Sequence, residues 1–284
     1  IINKDNYVKE DLTEFKELLQ ENVDLFSLAN SELPVTNLLT ASFRLKEGDF
    51  KPVRGRVLPQ SKEAREETSR QINQLLKDDF IERSTSPYSS SVFLVQKKGG
   101  SMRLVQDFRK INAMIELESF VPATFSEIVE RVGAIRPRLY SSIDLMSAYN
   151  QISVSDKMSR DLCTFVCSSG SFTWKRLPFG ITNAPAIFMK MMNMLIGTDE
   201  VLQQRCVPYL DDILVFSENL ETHIDVLRRL FKALREANLR LHPGKCSFLQ
   251  QKILYLGNVF SNKGVAPDKH KLEASQKFPR PNTK

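Results

Sequence analysis

The sequence has no apolar run long enough to span a bilayer, so it predicts no transmembrane helix. No secretory signal precedes Asp5, and residue 1 is isoleucine rather than methionine. We therefore expect a piece of a longer polypeptide or a processed product. The 284 residues, 42% of them hydrophobic and 26% charged, suffice for one large domain or for two to three subdomains of an ordinary globular protein.

Cysteine and histidine are scarce, with four and three residues respectively. The cysteines (Cys163, Cys167, Cys206 and Cys246) show neither paired CxxC spacing nor histidine partners at zinc-finger distance. This pattern argues against a structural zinc site. All four cysteines lie within or beside apolar runs, which is typical of buried reduced thiols in an intracellular protein.

Basic residues exceed acidic ones by a modest margin. Lys and Arg number 40 against 34 Asp and Glu, which gives a formal net charge of +6. A basic excess favours a polyanionic partner such as nucleic acid. A solvated basic surface would show the same excess, so the charge alone leaves both interpretations open.

Two adjacent acids, Asp211 and Asp212, lie between two apolar runs that are rich in β-branched and aromatic residues. Residues 206–210 and 213–217 are predicted strands, so the two acids fall at the turn that joins them. Convergent carboxylates repel each other unless a cation lies between them, and their hard oxygens favour Mg²⁺ or Mn²⁺. Asp is also common at polar hairpin tips, so a metal site and a simple turn both fit these residues.

A third acid, Asp144, is the only charged residue in a predicted strand at residues 139–145. A buried strand does not usually accept an unpaired charge. If the two strand ends are neighbours in one sheet, Asp144 converges with Asp211 and Asp212 despite their separation in sequence. Three such carboxylates can hold two divalent ions, an arrangement used in phosphoryl transfer.

Another pair of predicted strands, at residues 89–97 and 102–108, flanks a Gly-Gly turn with basic residues at its base and tip. Lys97, Lys98 and Arg103 can therefore point together at an anion. An edge hairpin whose lysines merely discourage aggregation would carry the same residues.

The rest of the chain mixes helices with strand pairs. Scattered Pro and Gly in residues 27–60 predict an extended arm, and residues 163–167 and 172–176 predict a hairpin. Periodicity and capping residues predict helices at residues 11–19, 61–78, 183–196, 220–237 and 267–276. This order indicates an α+β protein in which helices pack on a largely antiparallel sheet.

Six side chains in these helices have specific expected environments. Asn183 is expected to cap the helix that follows it, and the four methionines of that helix are expected to pack in the core. His223 has no partner one helical turn away and is expected at the surface.

Residues 209–212, Tyr-Leu-Asp-Asp, resemble the Tyr-x-Asp-Asp box of reverse transcriptases. Other segments resemble the successive sequence blocks of that family in the same order: residues 103–109, 144–149, 177–180, 183–185 and 255–257. Phe179, in the Leu-Pro-x-Gly block, and the apolar continuation after Asp212 are most similar to the Gypsy branch of LTR retrotransposons. The resemblance covers nearly all of residues 10–284.

This resemblance implies a right-hand polymerase with an antiparallel palm sheet backed by helices. Residues 1–60 would form an N-terminal helix and extended arm, and residues 61–120 the fingers. Residues 121–245 would form the palm, with part of the fingers inserted. Residues 246–284 would form the primer grip and the start of a truncated thumb, which should hold duplex weakly.

The resemblance also implies residue roles. Asp144, Asp211 and Asp212 would be catalytic and, with Leu145, would hold two Mg²⁺ ions, for which Mn²⁺ can substitute. The incoming nucleotide would contact Lys97, Arg103, Ala148, Tyr149, Phe179 and Gly180, with Tyr149 excluding a ribose 2′-OH. Leu256 and Gly257 would belong to the primer grip. Ala148 and Asn150 stand where Gypsy relatives commonly have Gly and His, but neither is a metal ligand.

The implied function is RNA- or DNA-templated DNA synthesis, in which dNTPs are added to a primer 3′-OH. The implied partners are a primed RNA or DNA template, dNTPs and a second copy or other parts of a Pol polyprotein, with no membrane. The implied location is the cytoplasm, within virus-like particles. Two alternatives stay open: an RNA-dependent RNA polymerase, which the aromatic residue at position 149 disfavours, and a co-opted or truncated domain that only binds nucleic acid or protein.

Overall fold

The computed structural model describes residues 11–97, 99–209 and 212–268. Within these ranges the chain forms eight α-helices: α1 Asp11–Glu21, α2 Lys62–Lys77, α3 Arg109–Met114, α4 Phe125–Ile135, α5 Lys157–Leu162, α6 Ala184–Gly197, α7 Glu200–Arg205 and α8 Leu220–Glu236. None of these helices combines the length and the apolar character needed to cross a membrane.

Twelve strands are described in the same ranges: β1 Ile81–Arg83, β2 Ser90–Gln96, β3 Met102–Gln106, β4 Leu139–Asp144, β5 Thr164–Cys167, β6 Gly170–Trp174, β7 Cys206–Tyr209, β8 Asp212–Ser217, β9 Ser247–Gln250, β10 Lys252–Tyr255, β11 Asn258–Ser261 and β12 Gly264–Pro267. They form three sheets. The predicted α+β class, with strand pairs between helices, is confirmed.

The central sheet, which we call the palm sheet, is antiparallel throughout and has the strand order β7-β8-β4-β9. Successive residues of a strand point to opposite faces, and both faces of β8 are buried. Ile213 and Val215 pack in one core with α1, α6 and α8, whereas Leu214 and Phe216 pack in another with α4 and the β10–β11 hairpin. This two-sided burial explains why β8 is apolar at nearly every position.

A second sheet, with the order β1-β6-β5-β2-β3, contains the two predicted hairpins β2–β3 and β5–β6. Its single parallel contact joins β2 to β5. Helix α2 packs against it through Ile72, which lies in one cluster with Val92 and Phe165. Ser61 caps this helix by accepting a hydrogen bond from Ala64 N–H, as its position in the sequence predicts.

The third sheet has the order β10-β11-β12. Its first turn consists of Leu256 and Gly257, both with positive φ (52° and 73°), the conformation that suits a two-residue hairpin. The helix predicted at residues 267–276 is wrong at its first residue, because Pro267 ends the edge strand β12, where a missing N–H is tolerated. The rest of that prediction, from residue 269, lies outside the described residues.

The predicted arm at residues 27–60 contains neither an α-helix nor a named strand and runs over the other elements. Backbone hydrogen bonds of 2.7 Å fasten it at Thr36, Ala41 and Gly55. At Gly55 an added Cβ would lie 2.5 Å from the backbone carbonyl carbon of Ser90, so only glycine permits this close approach.

The expected surface position of His223 is wrong. Its side chain is fully buried, with Nε2 2.7 Å from Ser141 Oγ and Nδ1 2.7 Å from Ser217 Oγ. Burial lowers the pKa of His223 to about 3, so the ring is neutral. The first turns of α8 lie against β4 and β8, and the two serines let a polar ring replace an apolar one there.

Helix α6 differs from its prediction in two details. The Asn183 side chain does not cap it, because its amide donates to Glu116 O (2.9 Å) and accepts from Glu118 N–H (3.3 Å). Met194 is 42% exposed, whereas the other three methionines of the helix are buried as expected.

Candidate active site

The palm sheet brings two of the three predicted acids together. In the antiparallel pairing of β4 with β8, Asp144 lies directly opposite Asp212. Directly opposed residues put their side chains on one face of a sheet, with Cβ atoms about 5 Å apart. Asp212 was expected in the turn, but it is the first residue of β8 and pairs with Tyr209 of β7. Leu210 and Asp211, between them, lie outside the described residues.

Asp144 is buried, with 9% of its surface exposed. Its backbone N–H donates to Cys246 Sγ (3.4 Å), and its backbone carbonyl accepts from His242 N–H (2.9 Å). Its buried Oδ1 accepts no hydrogen bond within the described part of the chain. The Lys245 ammonium lies 3.3 Å from this oxygen as an ion pair without hydrogen-bond geometry. Buried carboxylate oxygens normally have donors, so this one is available to a cation.

The donor set at this edge of the palm sheet fits a hard divalent ion. Asp144 and Asp212 supply carboxylate oxygens, which Mg²⁺ prefers, and Asp144 Oδ1 accepts no hydrogen bond from the residues described. Leu145, the fourth predicted ligand, is 2% exposed and packs in the core. Only its backbone carbonyl can therefore serve as a ligand.

Three of the predicted nucleotide-binding residues, Arg103, Tyr149 and Phe179, form one stack. The Tyr149 ring lies 4.9 Å from the Phe179 ring and 5.5 Å from the Phe188 ring, measured between centroids. The guanidinium carbon of Arg103, on β3, lies 4.5 Å from the Phe179 centroid, in cation–π contact. Ala148 is buried next to Tyr149 in a short 3₁₀ turn.

Gly180 follows Phe179 with a φ of +97°, a conformation that favours glycine. Asn112 of α3 braces this turn, because its amide donates to Gly180 O (3.0 Å) and accepts from Thr182 N–H (2.9 Å). The sequence prediction missed Asn112, whose only signal is its position close to a predicted block.

Lys97 lies at the base of the β2–β3 turn, which its backbone closes with Ser101 and Gly100 (2.8 and 2.9 Å). Its side chain is exposed. Among the contacts of the described residues, Arg103 reaches the aromatic stack and Lys97 does not.

The predicted primer-grip residues Leu256 and Gly257 lie at the β10–β11 turn. The neighbouring Tyr255 is buried and its hydroxyl donates to the carbonyl of Val207 in β7 (3.1 Å). Burial raises the pKa of Tyr255, so the hydroxyl keeps the proton that it donates. This bond fastens the hairpin to the strand that leads to the acidic residues.

A known protein family matches the part of the chain that contains these residues. The family model described as "Reverse transcriptase (RNA-dependent DNA polymerase)" matches residues 95–260, more than half of the chain. The retrovirus-related Pol polyprotein from transposon 412 of Drosophila melanogaster is 33% identical over 98% of this chain, and that from transposon gypsy is 32% identical over 95%. The chain spans only 22% and 26% of these two relatives.

Solved structures share the fold. The foamy viral protease-reverse transcriptase in complex with dsDNA has a TM-score of 0.85 at 23% identity, over 98% of this chain and 57% of the viral one. The same enzyme in complex with an RNA/DNA hybrid has a TM-score of 0.84 at 22% identity, over 98% and 37%. The expected right-hand arrangement with its antiparallel palm sheet is therefore confirmed.

Proposed function

The chain belongs to the reverse transcriptase family of RNA-dependent DNA polymerases, and with this membership as premise we propose that it adds deoxynucleotides to a primer 3′-OH on an RNA or DNA template. The observation that carries the proposal is the Asp144–Asp212 pair, with one buried carboxylate oxygen that accepts no hydrogen bond from the described residues. A polymerase needs such an oxygen for a metal ion, whereas a binding module does not.

Asp144, Asp212, Asp211 and the Leu145 carbonyl would hold two Mg²⁺ ions, with Mn²⁺ as a substitute. When bound there, such ions would supply a lower pKa for the primer hydroxyl and a counter-charge for the triphosphate. The protein's contribution is placement: the bonds from His242 and to Cys246 fix the backbone of Asp144, and the register with β8 fixes the position of Asp212. A fixed carboxylate pair needs no reorganisation during the reaction.

Arg103, Tyr149 and Phe179 would form the nucleotide pocket. The Arg103 guanidinium can bind two phosphate oxygens at once, whereas Lys97 adds a point charge at the hairpin. The Tyr149 ring, held between Phe179 and Phe188, would fill the space that a ribose 2′-OH needs. Gly180 and Ala148 would complete this pocket beside the rings.

Recognition of the template would come from base pairing, with the protein contacting backbone and duplex shape. The viral relatives were solved in complex with dsDNA and with an RNA/DNA hybrid, which supports the same classes of duplex here. Leu256 and Gly257 would contact the primer strand. As the family's polyprotein context suggests, we further propose cytoplasmic action within virus-like particles, with a second copy or other Pol regions as protein partners.

The test is primer extension by the Asp212→Asn variant. Asn keeps the shape of the side chain but removes a metal-binding charge, so we expect dNTP incorporation to fall at least about a hundredfold while the melting temperature changes little. Asp225→Asn is the matched control, because Asp225 lies on α8 and pairs with Arg229 (2.9 Å). Normal extension by Asp212→Asn in Mg²⁺ would contradict the assignment.

A further inference from the structure

A tight turn at residues 242–246 is fastened to the backbone of Asp144. His242 N–H donates to Asp144 O (2.9 Å), and the N–H groups of Lys245 and Cys246 donate back to His242 O (3.1 and 3.2 Å). The buried Cys246 thiol accepts from Asp144 N–H (3.4 Å) and lies 3.7 Å from Asp144 O. These contacts fix where the Lys245 side chain starts, although Lys245 is 101 positions from Asp144 in sequence.

The Lys245 side chain itself is held loosely. Its ammonium lies 3.3 Å from Asp144 Oδ1, but the pair lacks hydrogen-bond geometry and 60% of the lysine side chain is exposed. The Asp144 side chain, in contrast, is only 13% exposed. A structural ion pair at a buried carboxylate would be expected to include aligned hydrogen bonds, because the carboxylate has lost its water.

The positive charge of Lys245 can reduce the repulsion between Asp144 and Asp212. Asp144 and Asp212 lie side by side on neighbouring strands of the palm sheet, and two carboxylates this close repel unless a cation is present. The lysine ammonium is a compact charge on a flexible stem, and it can move into solvent at little cost. A divalent ion at Asp144 Oδ1 and the ammonium would compete for the same oxygen.

We propose that Lys245 is a positioning residue that neutralises Asp144 in the metal-free protein and leaves it when a divalent ion binds. The inference rests on the proposed function, since it takes Asp144 as a metal ligand. It makes Lys245 a competitor of the metal, so the free protein binds divalent ions more weakly than its carboxylates alone would. A permanent structural ion pair would have the opposite effect, because its loss would disorder Asp144 and weaken metal binding.

The experiment measures Mn²⁺ binding by electron paramagnetic resonance, on the whole chain without nucleotide or nucleic acid. We expect Lys245→Met to bind Mn²⁺ about fivefold more tightly than the unmodified chain, the effect of removing one partly exposed competing charge. Lys245→Arg keeps the charge and should stay within about twofold. Lys232→Met is the matched control, because Lys232 is an exposed lysine on α8 that pairs with Glu236.

A second readout is the melting temperature. Lys245→Met should lower it in EDTA, where Asp144 is left without its counter-charge, and this deficit should disappear in saturating Mn²⁺. If Lys245→Met binds Mn²⁺ as tightly as the unmodified chain or more weakly, while Asp212→Asn abolishes binding, the inference is overturned and the proposed metal site is not. Mn²⁺ binding unchanged in Asp212→Asn would overturn the proposed metal site, and the inference with it.

Discussion

The Asp144 side chain has three features that each destabilise a charged carboxylate. Its carboxylate is buried, faces a second acid on the next strand and has one oxygen that no described donor satisfies. Such an arrangement costs free energy in the metal-free protein, where Lys245 only partly offsets it. A site that is unfavourable without its ligand binds that ligand more strongly, which is how a polymerase fold can hold metal at two or three carboxylates.

Tyr149 is the residue whose substitution should change substrate choice rather than activity in general. Tyr149→Ala removes the ring packed between Phe179 and Phe188, which opens space for a 2′-OH. We expect the preference for dNTPs over rNTPs, measured as the ratio of kcat/KM values, to fall at least about tenfold. Tyr149→Phe keeps the bulk of the ring and should keep the preference. An unchanged ratio in Tyr149→Ala would remove the proposed gate.

At this scale the sequence predicted Asp144, Asp212, Arg103, Tyr149 and Phe179 because family motifs carry them, and the fold brings them into two groups, the acid pair and the aromatic stack. It missed Lys245 and Asn112. Their roles depend on contacts across 101 and 68 positions, so no local pattern marks them. His223 was misplaced for the same reason, since both serines that satisfy it lie outside its own helix.

Among the elements, α8 is joined to the palm sheet by a polarised chain of hydrogen bonds through His223. Ser217 Oγ donates to Asn219 O (3.0 Å), so it accepts from His223 Nδ1–H. Ser141 Oγ accepts from Leu249 N–H (3.1 Å) and donates to Nε2. This places the ring proton on Nδ1. A second proton on Nε2 would take the place of the hydrogen that Ser141 Oγ donates. The hydrogen bonds as described, which join α8 to β4, β8 and β9, therefore require a neutral ring.

The consequence is a pH-dependent stability. In the folded protein the pKa of His223 is about 3, whereas in the unfolded chain it is near the ordinary value of 6.5. Below pH 6.5 the unfolded state therefore binds one more proton, and stability falls as pH falls from 6.5 towards 3. Between pH 7 and pH 5 we expect His223 to cost about 2 kcal/mol of unfolding free energy.

Urea unfolding at pH 7 and pH 5 measures this effect. The variant His223→Gln lacks the titrating ring, so its unfolding free energy should fall by about 2 kcal/mol less over this interval than that of the unmodified chain. Gln is uncharged and can still bond to one serine, which makes it the fairest comparison. If the unfolding free energies of the two proteins fell by the same amount between pH 7 and pH 5, His223 would not titrate on unfolding.

Elements with strong periodicity were predictable, and those defined by distant partners were not. Helix α8 was predicted within one residue, because its apolar residues Ile224, Leu227 and Leu230 recur at helical spacing and all are buried. The last residue of β12 is predicted as the start of a helix, because Pro267 suits a first helical turn and its pairing with Asn258 is not visible locally. Asn183 is predicted to cap α6, but its side chain forms hydrogen bonds with the backbone of Glu116 and Glu118 instead.

At the scale of the whole molecule, the order of sequence blocks predicted the fold class, but the order of strands in the sheets needed the structure. The palm sheet places β4 between β8 and β9, so Asp144 meets both Asp212 and the turn at residues 242–246. The hairpin β2–β3 contacts the turn before α6 through Arg103 and Phe179, which links a basic strand to the aromatic stack. The residues proposed to bind metal lie at the first of these contacts, and those proposed to bind phosphate lie at the second.

The central claim, templated DNA synthesis at Asp144 and Asp212, is tested most directly by dTTP incorporation on poly(rA)/oligo(dT) in Mg²⁺ or Mn²⁺. We predict extension of the primer by the unmodified chain, and none above background by Asp144→Asn or Asp212→Asn. Binding to the same duplex should be similar in all three proteins and should weaken steeply with salt. Salt-dependent binding without any dTTP incorporation by the unmodified chain would contradict the claim and would indicate a domain that only binds nucleic acid.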